Sequence, residues 1–162
     1  MPDVPEIPAA GETPSQVVER LSLAKARAVR AMRPGVPVLA ADTVVAIGGR
    51  VLGKPRDRED AIGMLRSLSG AVHEVWTGVS LLAAEEATFS VRTLVTFRAV
   101  TDAEIERYVD GGEPMDKAGA YAIQGGAAGF VSSIDGSWTN VVGLPVDETL
   151  AALRRVGVLY VL

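Results

Sequence analysis

One run constrains this chain more than any other. Residues 36–47 read Val-Pro-Val-Leu-Ala-Ala-Asp-Thr-Val-Val-Ala-Ile. The run is β-rich and apolar at almost every position, whereas a half-solvated strand alternates apolar with polar. Such a pattern belongs to a strand covered on both faces. Gly48-Gly49 follows, a pair that accepts the positive φ of a tight hairpin, and Arg50-Val51-Leu52 is the short return. The chain is therefore expected to fold around a sheet with other layers packed on it.

The flanking segments supply those layers. Thr13 with Gln16 forms a capping box and Pro14 takes the first helical position. Val17, Leu21, Ala24 and Ala28 then predict one apolar helical stripe, ended by Arg33-Pro34-Gly35. Asp57 caps a second helix that stops near Gly70. Strands are expected over His73–Ala83 and Thr88–Val100. Thr101 and Glu104 open a short helix that ends at Gly111-Gly112. Residues 113–136 are glycine-rich and read as short strands, and Val146–Arg155 as a last helix. The order predicts one α/β domain over residues 1–162, a mixed β-sheet flanked by helices.

Composition narrows the chemistry. The 162 residues contain no cysteine and one histidine, which removes disulfides, thiolate metal sites, thiol nucleophiles and two-His motifs. Any metal would have to sit on oxygen ligands, favouring Mg²⁺ or Mn²⁺ over zinc. Sixteen basic and twenty acidic residues give a net charge of -4, so a broad basic field for nucleic acid is absent. No segment approaches the about 20 apolar residues of a membrane span, and the acidic, proline-rich start is unlike a signal peptide. A cytoplasmic protein is expected.

Several side chains could carry chemistry. Asp42 interrupts the apolar run and should be partly desolvated, either as a functional carboxylate or as a satisfied structural one. Lys54, in Gly53-Lys54-Pro55, follows the hairpin and returns near Asp42. It reads as a phosphate contact or a solvated lysine, without Walker spacing. Lys117 and Gln124 lie in a stretch of small residues that lets a ligand approach the backbone. Gln124 offers a donor and an acceptor suited to a base edge or sugar. Lys25, beside Ala24 on the first helix, could point to solvent or to the same site. His73, at a strand start between valines, reads as structural. Oxygen-bound Mg²⁺ with several lysines is apparatus for a phosphate-bearing substrate.

These segments together resemble the Maf family of nucleoside triphosphate pyrophosphatases. The resemblance is carried by Ala41-Asp42-Thr43-Val44-Val45, Gly53-Lys54-Pro55-Arg56-Asp57 and Leu68-Ser69-Gly70 with His73 and Thr77-Gly78. It continues through Asp116-Lys117-Ala118-Gly119-Ala120-Tyr121, Ile123-Gln124-Gly125 and Asn140-Val141-Val142-Gly143-Leu144-Pro145, and Leu23-Ala24-Lys25-Ala26 matches the early helix. It implies an elongated fold similar to the inosine-triphosphatase-like enzymes. It also implies hydrolysis of a nucleoside triphosphate to the monophosphate and pyrophosphate with a divalent cation, Mg²⁺ or Mn²⁺. Asp42 would be the general base or a ligand of the metal that activates water. Lys25, Lys54 and Lys117 would neutralise phosphate charge, and Thr43 and Gln124 would govern substrate choice. The Asp-Lys-Ala-Gly-Ala-Tyr segment with Gln124 resembles the branch acting on dTTP and UTP, and modified pyrimidine nucleotides are also expected.

One departure qualifies the resemblance. Family members begin with a strand and Ser-x-Ser-Pro-Arg-Arg, and no serine precedes Ser15 nor arginine Arg20 here. The first strand of the sheet and part of the phosphate grip are expected to be missing, with Glu6 matching the family's acidic loop as a weak metal ligand. A start assigned too far downstream would account for about 25 to 30 residues, one strand plus a short helix and its loops. The alternative is a non-catalytic nucleotide-binding or interaction protein lacking that grip. The resemblance also suggests a homodimer.

Overall fold

A computed structural model describes residues 8–158. Glu6 lies outside the described residues.

Helix α1 (Pro14–Met32) begins where its capping box places it. Thr13 Oγ1 accepts from the Gln16 amide, and Gln16 Oε1 accepts from the Thr13 amide at 2.9 Å. Of the expected stripe Val17, Leu21, Ala24 and Ala28, the first two are buried and the alanines only partly so; Val18, Ser22 and Ala26 complete the buried face. Two neighbouring i,i+4 ridges, not one, lie on the sheet. Ser22 is tolerated there because its hydroxyl meets that of Ser80 at 2.9 Å.

The sheet has the order β2-β1-β3-β4-β5, with β1 (Val38–Ile47), β2 (Arg50–Leu52), β3 (Val72–Leu82), β4 (Glu86–Phe97) and β5 (Val131–Asp135). All the described pairings are antiparallel, where a mixed sheet was expected. Tight turns join β1 to β2 and β3 to β4, and Gly48 and Gly49 have φ of 56° and 78°. Strand β2 is short and covers β1 only at Val45–Ile47. Among the described residues no strand pairs with the outer edge of β1 over residues 38–44.

Helix α1 covers one face of the sheet, packing with Val38, Ala40 and Val44. Gly78 makes the approach possible: a Cβ there would lie 2.3 Å from the Val18 carbonyl oxygen. The other face carries the main core. There Val45, Val75, Val95 and Phe97 meet α2 (Arg58–Leu68) and α3 (Asp102–Asp110). Asp57 and the Thr101–Glu104 box cap these helices as the sequence indicates. Helix α5 (Val146–Arg155) closes the far end of that face against Leu81.

Residues 113–130 depart from expectation. In place of short strands they form 3-10 turns at Glu113–Asp116, Ala118–Ala120 and Gly126–Phe130. Positive φ at Gly112, Gly119 and Ala120 breaks any extended run. A one-turn helix the sequence reading missed, α4 (Trp138–Val142), lies between β5 and α5, capped by Ser137 and ended at Gly143. Among the described residues no helix is long and apolar enough to cross a membrane.

Candidate active site

A cleft of about 410 Å³ opens along the edge of β1 that no strand covers among the described residues. Neighbouring residues on a strand point to opposite faces. At a strand edge, one cavity can therefore collect side chains from both faces. Asp42 pairs in register with Gly78 and faces α1, whereas Thr43 pairs with Thr77 and faces α4. Both line the cleft, together with Lys25, Lys54, Lys117 and Gln124. The candidate residues named from sequence are thus brought together, apart from Glu6, which is not among the described residues.

On the α1 side, Asp42 is 9% exposed and is hydrogen-bonded and ion-paired to Lys25 Nζ. Lys25 continues the Val17–Leu21 ridge by one turn, so the packing that buries Leu21 also aims the lysine at the strand. Its ammonium offsets the charge of a carboxylate that would otherwise be costly to bury. Arg20 stands close enough for Asp42 to add to the upward push on its guanidinium, although Glu12, bonded at 2.6 Å, is the larger cause.

The lysine rim depends on one glycine. Gly119 has φ of 68°, and a Cβ there would lie 2.8 Å from the Val45 side chain. Its amide donates to the Gly53 carbonyl at 3.0 Å, tying the Lys117 loop to the Lys54 turn. Lys117 pairs with Asp116 at 2.5 Å, and this hydrogen bond holds the Asp116 carboxyl below its ordinary range. Asp116 is exposed and the Lys117 side chain about half so, which keeps the pair weak, and a multiply charged anion can displace Asp116. Gln124 is exposed on a loop fastened at both ends: Ala122 N donates to Tyr108 Oη and Gly126 N to Glu113 Oε2, each at 3.0 Å.

The α4 side is neutral. Thr43 Oγ1 lies 2.8 Å from Thr77 Oγ1, and Thr77 donates to the Asn140 carbonyl at 3.0 Å. Val45, Val75, Tyr121, Ile123 and Val141 form apolar walls around it. His73 is 1% exposed beneath this wall, with Nε2 2.8 Å from Tyr121 Oη. Burial pushes its pKa down to about 4, so it stays neutral. Sequence reasoning left Tyr121, Thr77 and Asn140 out of the site. Thr77, a hydroxyl in a strand otherwise rich in apolar residues, was the available signal.

Among the described residues no three Asp, Glu or His side chains cluster to hold a metal ion. Asp42 and Asp116 are the carboxylates that line the cleft. Mg²⁺ takes one or two protein carboxylates and completes its shell with other oxygens, so Asp42 can supply one ligand but the described residues do not build a full site.

Comparisons with known proteins show which family the chain resembles. A family model described as Maf-like protein matches residues 1–156. A dTTP/UTP pyrophosphatase of Myxococcus xanthus is 53% identical over 155 residues, covering 96% of this chain and 79% of the relative. One from Pelotomaculum thermopropionicum is 49% identical over 157 residues, covering 95% and 82%. Another, from Anaeromyxobacter dehalogenans, is 55% identical over 152 residues, covering 91% and 76%.

Proposed function

The chain belongs to the Maf family, and from that premise we propose that it hydrolyses dTTP or UTP to the nucleoside monophosphate and pyrophosphate. The observation that carries this reading is the buried Asp42–Lys25 pair at the edge of β1, faced by Lys54 and Lys117 across one cleft.

The triphosphate lies along the lysines and the base enters between the apolar walls on the Thr43 side. Water attacks the α-phosphorus and the bond from that phosphorus to the bridging oxygen breaks, releasing pyrophosphate. Asp42 takes the proton of the attacking water. Lys25 holds the carboxylate in place and keeps it ionised until that proton arrives. Lys54 and Lys117 neutralise charge on the leaving pyrophosphate, with Lys117 exchanging Asp116 for a phosphate oxygen. A divalent cation, Mg²⁺ or Mn²⁺, would be held by Asp42 and the phosphate oxygens and would supply further charge neutralisation. A purely nucleotide-binding role is not favoured, because such a role does not need a buried carboxylate held against a lysine, as Asp42 is by Lys25.

Asp42→Asn tests the assignment by pyrophosphate release from dTTP and UTP with Mg²⁺ or Mn²⁺. Removing a general base should lower kcat by about 10²–10⁴-fold. Undiminished turnover in the variant, or no pyrophosphate from any common triphosphate with the wild type, would refute it.

A further inference from the structure

The hydrogen-bond chain behind Thr43 has a direction, and it follows from counting protons. The Asn140 backbone carbonyl, 3.0 Å from Thr77 Oγ1, can only accept. Thr77 has a single hydroxyl proton, and that contact uses it. In the 2.8 Å contact between the two threonine hydroxyls, Thr43 is therefore the donor. With its proton committed inward, Thr43 Oγ1 has only lone pairs left for the cleft it lines.

The far end of the chain is anchored firmly enough to hold that direction. The Asn140 carbonyl also accepts from the Gly143 amide at 3.0 Å. The Asn140 side chain donates through Nδ2 to the Val75 carbonyl and to Thr93 Oγ1, both at 3.1 Å. Thr93 Oγ1 in turn donates to the Ser137 carbonyl, leaving its lone pairs for the amide. Thr77, Thr93 and Asn140 are each 0% exposed, so bulk water does not compete for these protons.

We propose that Thr77, held by Asn140, is a positioning residue that sets base preference by making Thr43 an acceptor. The proposal rests on the nucleotide reading above and adds its polarity. On the pairing edge of uracil or thymine, O2 and O4 accept and N3–H alone donates. An acceptor at Thr43 can therefore bond a 2,4-dioxopyrimidine only at N3. Cytosine presents a lone pair at N3, so acceptor would face acceptor, a repulsive contact that works against the wrong base.

The test is calorimetric binding of UTP and CTP with EDTA present, so that base preference is read apart from turnover. The wild type should bind UTP about tenfold more tightly than CTP, the order expected of one satisfied against one opposed neutral hydrogen bond. Thr77→Val frees the Thr43 hydroxyl to turn and donate, and the ratio should fall to about threefold or less. Thr77→Ser restores the proton relay and should restore the ratio. Thr43→Val should lose it too, and the Thr43→Val/Thr77→Val double variant should be no worse than Thr43→Val alone, because Thr77 acts through Thr43. N3-methyl-UTP, which lacks the proton, should bind the wild type as poorly as CTP, a measurement that needs no variant to fold. A folded Thr77→Val protein with the wild-type ratio, multiplicative losses in the double variant, or a wild type that binds UTP and CTP alike or neither would overturn the proposal. A wild type with the predicted preference that releases no pyrophosphate on adding Mg²⁺ would sink the catalytic reading and leave this one standing.

Discussion

One peptide step along β1 separates two different kinds of site. Asp42 faces α1 and is held by a charge, the Lys25 ammonium. Thr43 faces α4 and is held by neutral hydrogen bonds through Thr77 and Asn140. A proton-accepting carboxylate has to be ionised, and burying it calls for a nearby cation. A base edge is neutral, and reading it calls for donors and acceptors of fixed direction. On the reading proposed above, the stretch of β1 that no described strand covers lets one cleft use both, and the two sides should fail under different perturbations.

The largest effect should come from the charged side. Lys25→Met leaves Asp42 without the ammonium. The loss should be about 3 kcal/mol, the low end of the range for removing one partner of a buried pair, since the Lys25 side chain remains 20% exposed. Urea unfolding would measure it. Lys25→Met/Asp42→Leu should regain most of that stability and none of the activity, since an apolar pair can replace a buried ion pair in packing but not in chemistry. Recovered turnover in the double variant would break the distinction between the two sides.

Acid should probe the neutral side. His73 supports Tyr121 from below and has its pKa pushed down to about 4 by burial. The unfolded chain protonates near 6.5 and the folded one resists. Stability is therefore full above about pH 6.5 and falls as the pH drops toward about 4, by about 3 kcal/mol in all. His73 is the one histidine of the sequence, and Glu12 and Glu104, held low by their arginines, add to the slope only as the pH nears 4.5, so His73→Gln should flatten the upper part of the window. A slope unchanged in His73→Gln would show that the wall beneath the base is not acid-sensitive in this way.

These differences bear on what could be read from the sequence. Local signals were legible where a residue type does one job: Thr13–Gln16 and Thr101–Glu104 box their helices, and Gly48-Gly49 turns its hairpin. Asp42 was legible because a carboxylate in an apolar strand is a local anomaly. Lys25 could not be assigned, because its direction depends on α1 settling onto Gly78 through Val18, a contact 60 residues apart in sequence that appears only in three dimensions. The turns of residues 113–130 were misread as strands because small residues carry little periodicity, and glycines at positive φ decide the path. Asn140 went unnoticed as a site residue for a related reason. Its role is made by Thr77, Val75 and Thr93, which come from two other strands.

The smallest effect separates the two sides most cleanly. Lys117 is half-exposed and pairs with an exposed Asp116, so Lys117→Ala should leave stability nearly unchanged and raise KM for UTP several-fold, the scale of one partly screened phosphate contact. Added salt should act in the same direction on the wild type, because the Debye length shrinks from about 10 Å at 0.1 M to about 3 Å at 1 M. The preference for UTP over CTP should not move with salt, because Thr77 and Asn140 are uncharged and sealed from solvent. Steady-state kinetics with both nucleotides across that salt range would show KM rising in parallel. A ratio that drifts with ionic strength would mean that charge reaches the base-reading side after all, and that the division made at Asp42 and Thr43 is not the one the enzyme uses.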